Sequence, residues 1–439
     1  VDPKTDLFYI SAALIGPSGW IGTYRKIHLW ECESHWAAPG DLDVPVFDTA
    51  IGRISIMICM DAIYFETARM AALQGADILA FPTNSSGQSI AYLQARAESN
   101  GLYVVSSNRS NVENEFAMVG GNALWSPNGT KLAELEVILQ VSDNDQSIPT
   151  PSILYSTIDP KKFNNSARRR LQERRPELYQ DLMLHITPWN YRQSNRSQLI
   201  RAAILQYKPC SNMNKLKNME AIHNLVTKAI LDSRKQNSSL DLIVLPELSI
   251  TGPLDKLQIT DIKNLAENIN GETVQHICRM AIDHCVHLII GFPETDGFHL
   301  FNTVILVNPA GEIEGYYRKT HLTAEDQRWA TPGNQIAVCE SAILGRVGLL
   351  IGYDAAFPEA AGVLAVQRAD LIAIPSAWSG EFSGVMQMSP RLFTSPYPNG
   401  AVSSWDGIAA AAQAYTLVAN YIGKAADAAS PYLGRSGLY

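Results

Sequence analysis

The sequence predicts an α/β fold with mixed parallel and antiparallel sheets. Apolar runs of strand length alternate with segments of helical spacing, an order that gives parallel strands joined by crossover helices. Turn signals between other strand-like runs, at 126–129 and 308–311, add antiparallel hairpins. The same order of elements occurs twice along the chain, so we expect two copies of the fold.

The elements of the first copy follow one another closely. The run 54–60 is continuously apolar, as expected for a strand that is buried on both faces. Helical spacing follows it, and Gly75 suits the position just beyond a helix C-terminus. The predicted series is strand 54–60, helix 63–74, strand 77–81, helix 90–100 and strand 102–107. The second copy opens with strand 199–206, helix 219–235 and strand 240–245.

Composition and charge exclude several classes of protein. Hydrophobic residues make up 46% of the 439 residues and charged residues 18%, which excludes a disordered chain. No apolar run reaches the ~18–20 residues of a membrane span. The net charge of −8 gives no electrostatic reason to expect a nucleic-acid partner. The six cysteines show no Cys-x-x-Cys spacing and no signal peptide is identified, so we expect a reducing, cytoplasmic location.

The repeat is clearest in one basic motif. Gly22-Thr-Tyr-Arg-Lys-Ile-His-Leu29 corresponds to Gly315-Tyr-Tyr-Arg-Lys-Thr-His-Leu322 at an offset of 293 positions. About sixty residues are expected to align at this offset without a gap. Further pairs that keep the offset are Gly52 and Gly345, Asp61 and Asp354, Glu66 and Glu359, and Pro82 and Pro375.

These correspondences predict the domain organisation. We expect a first domain at 1–190, a linker at 191–197 and a second domain at 198–439. The first copy has no counterpart of the long segment that precedes Gly315 in the second copy. The second copy stops at Gly437-Leu-Tyr439, which resembles Ala123-Leu-Trp125. We therefore expect both copies to be incomplete and the chain to be a piece of a longer protein.

Two stretches each have two interpretations. The basic run 167–176 is either the solvated face of a helix or an arm that packs on a partner subunit. The stretch 379–405 makes the second copy longer, because matching Asn108 to Asn420 needs an offset of 312. That stretch is either a surface loop or a flap over a vestigial pocket.

Cys59 and Lys26 are the first candidates for chemistry. Cys59 ends a predicted buried strand and precedes a helix, where N–H groups at the helix N-terminus favour the thiolate. The same strand–turn–helix context exposes nucleophiles in α/β hydrolases. Lys26 lies in the repeated motif and is a candidate cation for stabilising an oxyanion. The alternatives are a buried structural cysteine and a surface lysine.

Together these motifs resemble the nitrilase superfamily of carbon–nitrogen hydrolases. The matching segments are Leu245-Pro-Glu247, the two Tyr-Arg-Lys motifs, Ile58-Cys59-Met-Asp61 followed by Glu66, and Arg174-Arg-Pro-Glu-Leu-Tyr179. The resemblance implies tandem α-β-β-α sandwich domains with mixed sheets. It also implies a Glu–Lys–Cys triad with a second supporting glutamate, which carries over to Glu33.

The chemistry implied by the resemblance needs neither a metal nor another cofactor. A thiolate attacks a nitrile or amide carbon, and a carboxylate takes the thiol proton and later activates water. Lys26 and the backbone N–H of Met60 would stabilise the developing negative charge. Asn84, in the loop 83–88, is the candidate for lining the substrate pocket. The spacing of His28, Cys32 and His35 matches no standard zinc pattern.

Neither copy carries the whole triad. The first has Lys26, Glu33 and Cys59, but no residue matches the general-base glutamate. The second has Glu247 and Lys319, but Gly352 stands at the cysteine position. Asp326 stands at the position of Glu33, and we interpret the second copy as a degenerate site. We expect each copy's motifs to lie on its own sheet, which disfavours a triad shared between the copies.

Two classes of function stay open at this point. The first is hydrolysis of a non-peptide C–N bond in a small amide, carbamoyl compound or nitrile, with Cys59 as nucleophile. The second is an inactive tandem scaffold that supports assembly. A glutaminase that feeds a fused synthetase is disfavoured, because the sequence contains no Gly-rich phosphate loop of that kind. We expect no nucleic-acid or membrane partner, and either repeat–repeat or homo-oligomer packing.

Overall fold

The computed structural model shows two compact units. It describes residues 1–87, 89–113, 116–136, 152–184, 199–209, 214–254, 257–380, 382–389, 393–398, 405–424 and 430–439. One unit consists of Val1–Glu173 with Ser383–Val402, and the other of Arg174–Phe382 with Ser403–Tyr439. The predicted linker 191–197 lies outside the described residues, and the predicted domain bounds stay a prediction.

The first unit is built around one six-stranded sheet. Its strands and helices are β1 (Ser11–Gly16), β2 (Gly19–Arg25), β3 (Val46–Thr49), β4 (Gly52–Ile56), α1 (Phe65–Leu73), β5 (Ile78–Thr83), α2 (Leu93–Asn100), β6 (Tyr103–Asn108), β7 (Val112–Glu113), β8 (Phe116–Ala117), β9 (Ala123–Trp125), β10 (Lys131–Glu134) and α3 (Ser166–Arg170). The sheet order is β10-β9-β6-β5-β4-β3. The central strands β4, β5 and β6 are parallel, and the outer pairs are antiparallel, so the predicted mixed sheet is confirmed.

Apolar side chains on the two faces of this sheet pack against different elements of the first unit. Leu79 and Phe81 pack with Ala68 of α1 and Leu93 of α2 in one core cluster. On the other face Ile54, Ile78 and Tyr103 form a smaller cluster, and Leu14 of the β1-β2 hairpin packs against it. The sheet therefore lies between the two helices and the hairpin.

The second unit contains two five-stranded sheets. The elements from residue 174 onward are α4 (Gln180–Leu184), β11 (Ala202–Ile204), α5 (Lys215–Lys235), β12 (Leu242–Val244), α6 (Ile259–Leu265), α7 (Glu272–His284), β13 (His287–Thr295), β14 (Leu300–Val307), β15 (Ile313–Arg318), β16 (Val338–Ser341), β17 (Gly345–Leu349), α8 (Pro358–Val366), β18 (Leu371–Ser376), β19 (Phe382–Ser389), β20 (Phe393–Pro398), α9 (Trp405–Ala412), β21 (Tyr415–Asn420), β22 (Ile422–Gly423), β23 (Tyr432–Leu433) and β24 (Gly437–Leu438). Of these, β20 and all of β19 after its first residue belong to the first unit. The sheet orders are β11-β12-β13-β14-β15 and β16-β17-β18-β21-β24.

These two sheets pack face to face with helices outside them. Strand β13 contacts β18, and β11 and β12 contact β21. Helices α5 and α7 bury Val226, Ile277 and Met280 against the outer face of the first sheet. Helix α8 lies so close to β17 that a side chain at Gly348 would meet Leu364 at 2.6 Å. The predicted α-β-β-α sandwich is confirmed in this unit.

Corresponding elements keep the offsets that the sequence predicts. The bounds of β4, α1 and β5 differ by 293 from those of β17, α8 and β18, and α2 and β6 differ by 312 from α9 and β21. The expected gap-free alignment of the two copies is wrong at β3 and its counterpart β16. Thr49 of β3 pairs with Gly52 but Ser341 of β16 pairs with Gly345, so the turn in the second unit is one residue longer. Inside the stretch 379–405, β19 and β20 pair as a two-stranded sheet.

Among the described helices, none combines the length and the apolar character needed to cross a membrane. The expected cytoplasmic location stays a prediction.

Candidate active site

Cys59 occupies a strained turn at the end of the central strand β4. It is the first residue of a short 3-10 turn, Cys59–Ala62, that connects β4 to α1. Its φ is +48°, in the left-handed region that residues with a side chain rarely adopt. The side chain is half-buried, and Sγ lies 3.9 Å from the carbonyl oxygen of Asn84. The turn therefore places the thiol next to the loop that follows β5.

Asp61 fixes this turn to the repeated basic motif. Its buried carboxylate accepts hydrogen bonds from the backbone N–H groups of Ile58 (2.8 Å) and His28 (2.9 Å) and from the hydroxyl of Tyr24 (2.7 Å). The Nδ1 atom of His28 lies 3.0 Å from the same carboxylate. Burial beside Asp61 raises the pKa of Tyr24 well above its ordinary value, so Tyr24 is a neutral donor. This role of Asp61 was not predicted from the sequence, although the recurrence of the residue as Asp354 was a signal.

Lys26 and Glu33 form an ion pair in the first unit. The Lys26 side chain is buried, and its Nζ lies 2.5 Å from Oε2 of Glu33. The same Oε2 accepts the backbone N–H of Trp30 at 2.7 Å, which fixes the carboxylate. Among the described residues, no hydrogen bond joins Cys59 to Lys26 or to Glu33. The fold thus brings together Lys26 with Glu33, and Cys59 with the backbone of Asn84.

Met60 and Asn84 flank the thiol in different ways. Met60 is the second residue of the turn, with a half-buried side chain. Asn84 follows β5, and its side chain is exposed to solvent while its carbonyl faces Cys59. Their predicted roles in binding a substrate stay predictions.

The second unit has a buried cluster of charged side chains at the positions that correspond to Lys26 and Glu33. Nζ of Lys319 lies 2.7 Å from Oε1 of Glu247 and 2.7 Å from Oδ2 of Asp326. The amide of Asn302 donates to the same Glu247 oxygen at 2.7 Å, and this partner was not predicted from the sequence. Asn302 corresponds to Tyr9 at the offset of 293, so the repeat gave no signal for it.

Burial and the shared charges set the protonation of this cluster. Burial raises the pKa of Glu247, while the adjacent Lys319 opposes that shift. Burial alone would lower the pKa of Lys319, but the carboxylates of Asp326 and Glu247 outweigh it and raise that pKa above its ordinary value. Lys319 therefore stays an ammonium ion, held between two carboxyl groups.

Gly352 stands at the position that corresponds to Cys59, next to Glu247. Its φ is +38°, and it begins the 3-10 turn Gly352–Ala356 as Cys59 begins its own turn. A Cβ atom built on Gly352 would lie 2.6 Å from Oε2 of Glu247. Asp354 anchors this turn through the N–H groups of Ile351 (3.0 Å) and His321 (2.8 Å), as Asp61 does in the first unit.

Replacing Gly352 by alanine is expected to destabilise the second unit by about 1–3 kcal/mol. The left-handed φ strains any residue with a Cβ, and the new methyl group would also displace the buried Glu247 carboxylate. Gly297→Ala is the control, because its φ is +96° and nothing lies within 4 Å of its Cβ position. Urea unfolding should give a smaller loss for the control, and equal losses would contradict a steric role of Glu247.

Within the described part of the chain, no group of three or more His, Cys, Asp or Glu side chains is arranged to hold a metal ion.

Comparison with known families gives a match over most of the chain. The family profile described as "Carbon-nitrogen hydrolase" matches residues 2–137 and 201–438, together well over half of the sequence. A protein named nitrilase from Pyrococcus abyssi is 33% identical over 175 residues, which are 40% of this chain and 64% of that protein. A citrullinase from Francisella tularensis is 30% identical over 200 residues, which are 40% of this chain and 65% of that protein.

An N-carbamoylputrescine amidase from Solanum lycopersicum is 28% identical over 199 residues, or 40% of this chain and 63% of that protein. The chain thus spans less than two thirds of the length of these relatives. Among solved structures, a carbon–nitrogen hydrolase from Helicobacter pylori has 21% identity and a TM-score of 0.44, covering 54% of this chain and 81% of that one. Saccharomyces cerevisiae Nit3 has 20% identity and a TM-score of 0.43, with the same coverage of both chains.

Proposed function

This chain belongs to the carbon-nitrogen hydrolase family, and from that premise we propose that its first unit hydrolyses a non-peptide C–N bond of a small molecule, with Cys59 as the nucleophile. The observation that carries the proposal is the half-buried thiol in a strained left-handed turn that Asp61 anchors. Cys285 also has a left-handed φ (+52°), but it caps the C-terminus of α7, whereas Cys59 lies in the turn between the central strand β4 and α1. Strain in a turn of this kind concentrates at functional sites.

In the proposed reaction the Cys59 thiolate attacks the carbon of an amide, a carbamoyl group or a nitrile. With an amide, a C–S bond forms, the C–N bond breaks, and the amine leaves with a proton to give a thioester. Water then cleaves the C–S bond, which releases the acid and restores the thiol. With a nitrile, the first adduct is a thioimidate, and two molecules of water complete the conversion to acid and ammonia.

The remaining groups are assigned by their charge and position. The Lys26 ammonium and the backbone N–H of Met60 stabilise the negative charge that develops on the substrate. Glu33 holds the ammonium in place through its 2.5 Å contact. The carboxylate that would accept the thiol proton has a counterpart in the second unit. There Oε2 of Glu247 faces Gly352, at the position that corresponds to Cys59.

The second unit is proposed to be a degenerate copy of the same site. Glycine at position 352 supplies no nucleophile, while Glu247, Lys319 and Asp326 keep the buried charge cluster. Covalent chemistry is therefore assigned to the first unit alone. The names of the relatives (nitrilase, citrullinase and N-carbamoylputrescine amidase) favour small nitriles and carbamoyl compounds as substrates.

Alkylation with chloroacetamide, read by peptide mass spectrometry over time, tests the proposal. We expect Cys59 to react faster than Cys32 and Cys285, although both of these are more exposed. Such an order can arise only from reactivity, because access alone favours the two exposed thiols. Lys26→Met should slow alkylation of Cys59 without affecting the other two. Faster reaction of Cys32 or Cys285 would refute the assignment.

A further inference from the structure

The second unit has a cavity between the edge strands of its two sheets. Strand β15 ends one five-stranded sheet, β16 ends the other, and the two strands pack against each other. The cavity lies at this junction and has a volume of about 260 Å³. Strand β15 lines one side, and the segment before β16, Cys339 and Leu349 line the rest. Neither Glu247 nor Lys319 lines it, so the cavity is separate from the buried charge cluster.

The first unit fills the corresponding place with an aromatic ring. Phe47 of β3 packs with Tyr24 and Ile56 in one apolar cluster. At the offset of 293 these two partners correspond to Tyr317 and Leu349, and both of these line the cavity of the second unit. The cavity therefore occupies the place that the Phe47 ring takes in the first unit.

Cys339 takes the position of Phe47 in the second unit. Each of the two pairs with the corresponding residue of the next strand, β17 or β4. A Cβ atom built on Gly22 would overlap the Phe47 ring, and one built on Gly315 would lie 2.5 Å from Sγ of Cys339. Both side chains thus lie over the same glycine of the repeat. A small side chain in the place of a large one leaves a cavity, because the surrounding structure closes only in part.

A carboxylate without a full set of donors lines this cavity. Strand β15 has a one-residue bulge at Glu314, and β2 has the same bulge at Ile21, so a carboxylate replaces an apolar side chain. Oε1 of Glu314 accepts the amide of Asn308 at 3.3 Å. Oε2 is buried and has no hydrogen-bond partner in the described part of the chain, with Nε2 of His287 3.7 Å away. The terminal torsion of a glutamate is soft, so a donor in the cavity can reach the carboxylate.

Among the described residues that line the cavity, the other charged one is Arg318. Its guanidinium donates to both carboxylate oxygens of Glu294, at 2.9 and 2.6 Å, and lies 3.7 Å above the ring of Phe301. Burial raises the pKa of the Cys339 thiol to about 11, so this thiol is neutral at physiological pH. Glu314 therefore gives the cavity its negative charge, and a cation is the complementary ligand.

We propose that this cavity binds a small organic ammonium ion. The ammonium group donates to the Glu314 carboxylate, and the alkyl chain lies against Cys339 and Leu349, in the place of the Phe47 ring. A water molecule takes about 30 Å³ of the liquid, so the cavity has room for a ligand of about eight non-hydrogen atoms. Binding here needs no catalysis by Cys59, and the proposal is independent of the proposed function.

A titration with n-butylammonium chloride, followed by saturation-transfer-difference NMR of the ligand, tests the proposal on the full chain. Salt at about 0.15 M screens the exposed charges of the protein. We expect saturable binding with a dissociation constant of about 0.1–10 mM, the range for so small a ligand. n-Butanol has nearly the same shape and no charge, and it should bind at least about tenfold more weakly, since it lacks the charge-assisted hydrogen bond.

Two variants and one control locate the site. Glu314→Gln should weaken binding of n-butylammonium at least about tenfold. Cys339→Phe should abolish it, because the new ring fills the cavity as Phe47 fills the corresponding place. The matched control is Glu312→Gln, which removes an exposed carboxylate that does not line the cavity. The control should leave the affinity within about twofold, and thermal melting shows whether each variant is folded.

Several results would overturn the proposal. Absence of saturable binding is one, and equal affinity for n-butanol and n-butylammonium is another. Equal weakening by Glu312→Gln and Glu314→Gln would show that the ligand binds the acidic surface. Unchanged binding by a folded Cys339→Phe variant would place the ligand outside the cavity. The comparison of the two ligands uses the unmodified chain, so it decides the matter even where a variant fails to fold.

Discussion

Replacing Cys59 by alanine is expected to lower kcat for C–N hydrolysis by at least about 10³-fold. The substitution removes the sulfur atom to which the proposed mechanism assigns the covalent bond with the substrate, and no neighbouring group of the turn can replace it. The fold should survive, since alanine can occupy the half-buried position and keeps the hydrogen bonds of Asp61 to the backbone. Substrate affinity should change far less than kcat, because the thiol acts in the chemical step.

Ammonia release from a panel of small nitriles, amides and carbamoyl compounds measures this effect. Cys285→Ala is the matched control, since Cys285 is an exposed free cysteine in the second unit, and it should keep full activity. A Cys59→Ala variant that retains a substantial part of the turnover would exclude the thiolate mechanism. The inactive scaffold would then be the better description of the protein.

Replacing Asp61 by alanine is expected to destabilise the first unit by about 3–5 kcal/mol. The substitution leaves the buried N–H groups of Ile58 and His28 and the hydroxyl of Tyr24 without an acceptor. Removing one partner from a buried charged network costs this much because the groups left behind stay desolvated. At ~2–4 °C per kcal/mol for a unit of this size, the melting temperature should fall by roughly 6–20 °C.

Differential scanning calorimetry measures the change, and Asp48→Ala serves as its control. Asp48 also pairs with a cation, Arg53 at 3.1 Å, but both side chains are exposed to solvent. Exposed ion pairs contribute ~0–1 kcal/mol, so the control should change stability little. Similar losses for the two variants would show that Asp61 does not anchor the turn.

The repeat and the order of elements could be predicted because they depend on local patterns. The apolar run before Cys59 marks a buried strand, and the helical spacing after it marks α1. The bounds still differ, since β4 ends at Ile56 and a 3-10 turn stands between strand and helix. The one-residue shift between β3 and β16 escaped prediction, because the register of a hairpin is set by its turn and by pairing across the sheet.

The candidate site could be predicted only in part, because local spacing brings some of its residues together and strand pairing brings the others together. Lys26 and Glu33 are seven positions apart, and the resemblance to one family named both. Asn302 lies 55 positions from Glu247, and only the pairing of strands brings the two side chains together.

By itself, the sequence predicted the repeat and the alternation of strands and helices, and it placed Gly352 at the position that corresponds to Cys59, since each can be read from residue types and their spacing. Tertiary structure alone decided that Asp61 and Asp354 lock the two turns, that Asn302 joins the buried charges, and that a cavity of the second unit lies in the place that the Phe47 ring takes in the first. The physical reason is that hydrogen bonds and burial depend on distances in space between segments far apart in the chain, and residue order does not encode those distances directly.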